Sequence, residues 1–374
     1  MIKFVSHQHC PANFIPMRTT PVGTLGRLLV SATSMVIAGS TLPAGAASGA
    51  PVARVFAWDN PITDGLNGYG LKDVHILDDA GSWYLVATEM RVPAQEKRGL
   101  VLYRSPDLVH WREAALLFDR ETIPADAWYR DEWLAPEIHQ LNGKYFALFH
   151  CRNNRQRPYR LPGCGLAVAD RIEGPYRNLT PDRPLYWGNN TNLFTAPDGR
   201  VHLYWDRDGR IYSAELDPER GALKTEPREI LGPAALGKQF RFLDAPFVAE
   251  RDGRYYMITS SFYAGYIIRV RYLTSPSADG PWTMAAEPLL TFIESEADST
   301  LRMTYPPGYS FAPPTQVIFH HQIFRGPGGM DYLAYHSSEK YSEPRLVIEP
   351  IKFDGAGGLV VPAPNQSHHS VPLP

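Results

Sequence analysis

The stretch WLAPEIHQLNGKYFALFHC, Trp133 to Cys151, decides how this chain is read. It opens on a polar residue beside an apolar run, turns at Asn142-Gly143 and continues as aromatics and small apolar residues. That is the pattern of a β-hairpin. Four more stretches have the same form: DVHILDDAGSWYLVATEM from Asp73, NNTNLFTAPDGRVHLYWDR from Asn189, DAPFVAERDGRYYMITSS from Asp244 and HHQIFRGPGGMDYLAYHSS from His320. Their turn glycines are Gly81, Gly143, Gly199, Gly253 and Gly329, spaced 62, 56, 54 and 76 residues apart. Each hairpin is followed by two further β-like runs, and no segment sustains a helical period. Four antiparallel strands per unit, repeated five times, predict an all-β five-bladed β-propeller with four-stranded blades. The turn-rich segment from Val52 to Gly70 is expected to close onto the last repeat. The longest spacing accommodates an insertion near Phe292–Pro314.

Composition agrees with a large β architecture. Of 374 residues, 44% are hydrophobic and 12% aromatic, with 20 Tyr and 8 Trp, a composition that suits strands and sugar-stacking surfaces. A net charge of -2 gives no electrostatic reason to propose nucleic acid or an anionic membrane as partner. Residues 1–50 read as a leader: Arg18 and Arg27 precede the short apolar run Leu28–Ala38, and Ala44-Gly45-Ala46 offers a cleavage site. Met17 is an alternative start. Residues 51–374 are then a single propeller domain, secreted or periplasmic and expected to be monomeric. Cys10 leaves with the leader. Cys151 and Cys164 flank a loop between two strands and are expected either to form a disulfide or to remain as buried thiols.

In a propeller the first strand of every blade lines the central channel, so Asp73, Glu137, Asn190, Asp244 and His320 are expected to converge at equivalent places. Carboxylates beside apolar runs are costly to bury unless paired or used. Two of them across a cleft fit glycoside hydrolysis, one as general base on water and one as general acid.

At these residues the chain resembles glycoside hydrolase family 43. The resemblance rests on LKDVH from Leu71, WLAPEIH from Trp133, LDAPF from Leu243, and YLAYH from Tyr332 with the later RLVIEPI from Arg345. It runs from about Asp73 to Val361 and implies a secreted, inverting enzyme that removes α-L-arabinofuranosyl or β-xylosyl residues from polysaccharide or oligosaccharide. Asp73 matches the family's base and Asp244 its acid, where Glu is usual. Asn190 falls where the family has an Asp that modulates the acid and orients substrate. Glu137 is expected either to supply the missing charge, acting with the catalytic pair, or to link to neighbouring backbone. His320, with His321 as the other choice, matches an axial His that contacts water or Ca2+; no cofactor is required otherwise. Trp133, His75 and Arg271 are candidate substrate contacts, with Arg269, Trp58 and Trp187 as further possibilities. A carbohydrate-binding propeller with weak or no hydrolase activity is the alternative, and a purely structural propeller the third reading.

Overall fold

Successive residues of a strand point to opposite faces, and the strands here are apolar on both, so each sheet needs cover on both sides. The computed structural model meets this need with five antiparallel sheets arranged as a five-bladed β-propeller. It describes residues 54–90, 98–155, 162–232, 240–263, 267–294, 301–304, 317–338, 343–355, 357–362 and 368–373. The leader, Cys10, the Arg269 side chain and most of the Phe292–Pro314 insertion lie outside the described residues. Residues 53–374 form one compact unit.

The innermost strands are Leu71–Asp79, Glu132–Leu141, Asn189–Thr195, Phe240–Arg251 and Val317–Arg325. Each pairs with a second strand: Ser82–Glu89, Lys144–Arg152, Val201–Arg207, Arg254–Tyr263 and Asp331–Ser338. The first, second and fourth hairpins turn on two residues, Ala80-Gly81, Asn142-Gly143 and Asp252-Gly253, all at positive φ. This is the turn whose twist matches that of the flanking strands. Five apolar clusters fill the five seams. In the seam between blades one and two, Tyr84 and Val86 meet Ile138, Ala147 and Phe149. The alternate residues Leu85 and Ala87 face Tyr332 and Ile348 of blade five instead. Among the described residues the only helical elements are short 3-10 turns at Arg120–Thr122 and Pro327–Gly329.

Blade five has three hydrogen-bonded strands, ending in Arg345–Pro350. Its fourth position is taken by the segment that precedes blade one: Ile62 N–H donates to the Leu346 carbonyl at 2.8 Å and Trp58 Nε1 to that of Ile348 at 3.0 Å. Val55–Asp59 then pairs antiparallel with His368–Pro372, so the ring is closed by residues from both ends of the chain, as expected for Val52–Gly70.

Cys151 and Cys164 are free and buried. They sit on neighbouring strands, but Cys151 packs toward blade one and Cys164 toward blade three. Of the two expectations, the structure has the thiols. Burial pushes Cys151 well above the ordinary thiol range and Cys164 up to about 11.

Candidate active site

Each innermost strand carries a β-bulge at the same place, with one residue in the left-handed region: Asp73 (φ 54), Ala135 (φ 39), Asn190 (φ 47), Ala245 (φ 49) and His320 (φ 54). For Ala and His this conformation costs roughly 1 kcal/mol, and bulges recur where a side chain must be re-aimed. The bulges correct the expected equivalence of the five polar residues. Asp73, Asn190 and His320 are equivalent, whereas Asp244 stands one residue before its bulge and Glu137 two residues after. Counted back from the turn glycines the bulge residues stand at 8, 8, 9, 8 and 9 residues, whereas Glu137 stands only 6 before Gly143, out of step with the other four. Asp73, Asn190 and Asp244 border one cavity of about 210 Å³ with Lys72, His320 and His336.

Asp73 is held by groups from its own and adjacent blades. Its Oδ2 accepts from Thr88 Oγ1 at 2.7 Å, and its Oδ1 lies 3.7 Å from His320 Nδ1 and 3.8 Å from His336 Nδ1. Burial opposes its ionisation, but Lys72, His320, His336 and the Thr88 hydroxyl outweigh burial and bring it down to about 2. The Asp73 N–H donates to His336 Nδ1 at 3.0 Å, which places any proton of the neutral ring on Nε2. Burial lowers His336 to about 3. Asp73 is therefore a carboxylate beside a neutral imidazole, ready to accept a proton.

Across the cavity, Asp244 is half-buried and Asn190 buried. Asn190 Nδ2 donates to Asp244 Oδ1 and, at 2.9 Å, to Oδ1 of Asp206. Asp206 was not foreseen. It is 4% exposed, on the second strand of blade three, and also accepts from Ala245 N–H at 3.2 Å. Burial first, then the charge and hydrogen bond of Asp244, push its carboxyl well above the usual range. A repeat signal was available: the seventh residue after every turn glycine is polar, namely Thr88, His150, Asp206, Ser260 and His336. Thr88, Asp206 and His336 each accept the N–H of the next blade's bulge residue.

Glu137 and His75 sit deeper, in a second ring with Asn192, Phe247 and Gln322. Side chains of this ring accept backbone N–H groups of the following blade. Gln322 takes Ile76 N–H at 2.7 Å, His75 takes Ile138 at 3.4 Å, Glu137 takes Leu193 at 2.8 Å and Asn192 takes Val248 at 2.8 Å. Glu137 also accepts from Asn192 Nδ2 and pairs with His139. Burial works against its charge, yet these partners hold it down at about 2. Its oxygens are thus committed to the seam between blades two and three, which is the backbone link and not the catalytic placement among its two expectations. His75, lowered by burial to about 3, likewise lies off the cavity wall.

The remaining candidates disperse. Trp133 stacks on Phe118 at 4.9 Å within an aromatic cluster, away from the cavity. Trp58 is buried in the closure. Arg271, on the third strand of blade four, donates to the Ala286 carbonyl at 3.2 Å. Trp187 borders a larger cleft that contains none of the axial carboxylates. His321 is buried against Tyr335, whereas His320 faces the cavity with its Nδ1 without a hydrogen-bond partner among the described residues. Ca2+ takes six to eight oxygens. One imidazole and Asp73, whose Oδ2 is engaged by Thr88, do not supply them, so these side chains alone do not fit a calcium cage. His75, Glu137 and His139 bring ligand atoms within 4.8 Å of one another, but Glu137 and His75 are already engaged in the seam bonds.

Known proteins resemble this chain in sequence and in fold. A family model described as glycosyl hydrolases family 43 matches residues 58–357. The extracellular endo-α-(1→5)-L-arabinanase 2 of Bacillus subtilis is 26% identical over 249 residues, 57% of this chain and 49% of that protein. Xylosidase/arabinosidase 43B of Humicola insolens is 24% identical over 238 residues, 60% of this chain and 41% of that protein. The chain thus spans about half the length or less of these relatives. Among solved structures, a thermostable family-43 glycoside hydrolase superposes with a TM-score of 0.63 at 21% identity, covering 85% of this chain and 98% of that one. An endo-arabinase from Bacteroides thetaiotaomicron gives 0.61 at 19% identity, covering 79% and 98%.

Proposed function

The chain belongs to glycosyl hydrolase family 43, and from this premise we propose that it hydrolyses arabinan- or xylan-type glycosidic bonds with inversion, as an exported enzyme. The observation that carries the reading is one cavity with two unlike carboxyl sites on its wall. Asp73 is held ionised, while Asp244 shares the Asn190 amide with Asp206, whose carboxyl burial pushes well above the usual range. Environments that push acids apart in this way assign the roles of base and acid.

In the reaction, water enters between Asp73 and the anomeric carbon. Asp73 takes one proton as the water oxygen bonds to that carbon from the face opposite the leaving group. The glycosidic C–O bond breaks, and the Asp244 side delivers a proton to the departing oxygen, which leaves as an alcohol. One proton is accepted and one donated, so the net charge of the site is unchanged. The relatives named as extracellular arabinanases support an α-L-arabinofuranosyl substrate and export. Asn190 favours the alternative, a propeller that binds sugar without cleaving it; Asp206 counters that reading by restoring a carboxyl beside Asp244.

The test compares wild type with Asp73→Asn and Asp244→Asn on linear arabinan, xylan fragments and nitrophenyl glycosides, with the product anomer followed by NMR. Loss of the base should cost about 10²–10⁴ in kcat, and Asp244→Asn should be much less harmful on the nitrophenyl substrate, whose leaving group needs little proton assistance. Wild-type turnover by Asp73→Asn, or retention of configuration, would overturn the mechanism.

A further inference from the structure

We propose that Asp206 is the positioning residue of the acid site, sharing one proton with Asp244 across the side-chain amide of Asn190. This deepens the reading above and rests on Asp244 being the acid. The geometry is that of a carboxyl pair built for one proton. Asn190 Nδ2 is bonded to an oxygen of each carboxyl. An amide that offers its N–H groups to both orients both and leaves a carboxyl–carboxyl contact as the place for a shared hydrogen. Two such groups in contact do not both ionise readily, because like charges at this range repel strongly where water is excluded. Asp206 is buried and Asp244 half-buried at the cavity, so the inner member can hold the proton and the outer member can present it to substrate.

Among the described residues the groups around the pair are few. Asn190 comes from the innermost strand of blade three and Ala245 N–H from blade four. The third strand of blade three places Ile211 opposite Asp206. Lys72 and Asp73 of blade one and His320 and His336 of blade five stand on the cavity wall. A plainer role also fits: Asp206 occupies the place from which Thr88 and His336 cap the next bulge N–H. Asparagine separates the two roles, because its carbonyl oxygen still caps Ala245 while its charge and its proton are gone.

The experiment uses the full chain and records kcat/KM against pH on an arabinooligosaccharide, whose leaving alcohol needs a proton. Asp206→Asn should move the alkaline limb to lower pH by at least about one unit. The double variant Asn190→Asp/Asp206→Asn exchanges amide and carboxyl across the same hydrogen bond and should move the limb back toward wild type. An unmoved limb in Asp206→Asn, or a double variant no different from it, would reduce Asp206 to a cap. Infrared difference spectroscopy of the wild-type protein provides a second readout, free of folding defects and of turnover. A buried carboxylic-acid C=O band at neutral pH, sensitive to deuterium, supports the shared proton, and its absence overturns it. If wild type cleaves no glycoside yet shows the band, the catalytic reading fails while the carboxyl pair stands.

Discussion

Replace Glu137 by glutamine and the inner ring keeps its acceptor for Leu193 N–H but loses a buried charge. In the folded chain that carboxyl titrates at about 2 against an ordinary 4.5, a difference worth about 3 kcal/mol of stability at neutral pH. Glu137→Gln should therefore lower the free energy of urea unfolding by about 2–3 kcal/mol. Glu137→Ala, which also abandons Leu193 N–H and Asn192 Nδ2, should cost about 3–5 kcal/mol. The sign of the pH dependence is specific. A depressed carboxyl contributes stability above its unfolded value and loses it as pH falls through the folded one, so the gap between wild type and Glu137→Gln should close between pH 4.5 and about 2. Tryptophan fluorescence in urea across that range measures the gap, and kcat of the folded variant is measured beside it. Unchanged stability with kcat reduced a hundredfold or more would refute the structural assignment and return Glu137 to the catalytic group.

Thr88→Val removes the hydroxyl that donates to Asp73 and accepts from Ala135 N–H. The acid limb of the rate profile should rise in pH, and stability should fall by about 1–3 kcal/mol for the orphaned N–H; a limb that stays in place would exclude Thr88 from control of the base. Asp206 has the opposite linkage to Glu137: its raised carboxyl contributes stability below its unfolded value and loses it as pH rises through the folded one. The stability advantage of wild type over Asp206→Asn should accordingly shrink as pH rises, as measured by urea midpoints. Cys151 and Cys164 should resist a thiol reagent in the native protein and react with it after denaturation; prompt labelling of the native protein would contradict their burial.

The propeller was legible because turn glycines and two-residue periodicity recur in every blade, and the ring needs no information beyond that recurrence. Asp73 was legible for the same reason, since it opens a repeat. The five-way equivalence was not. Glu137 stands six residues before Gly143 where Asp73 stands eight before Gly81, and that offset of two carries it past the bulge into the seam. Trp133 reads alike in sequence whether it faces sugar or core; only the approach of Phe118 from blade one decides. Asp206 lay in plain view at the seventh position after Gly199. Its meaning depended on Asn190 and Asp244 arriving beside it from two other strands.

The inner ring runs one way around the axis, each side chain reaching forward to the next blade, and at one step it stops. Phe247 occupies the blade-four position and has no oxygen to offer Ile323 on blade five. Among the described residues no such side-chain bond crosses that seam at this depth, although Arg251 of blade four pairs with Asp331 of blade five elsewhere along it; blades one to four and the return from five to one each have one. An inner ring that lacks this bond at one joint should open there first. The amide of Ile323 should exchange with solvent sooner than those of Ile76, Ile138, Leu193 and Val248, and thermal opening of the propeller should begin as a parting of blades four and five.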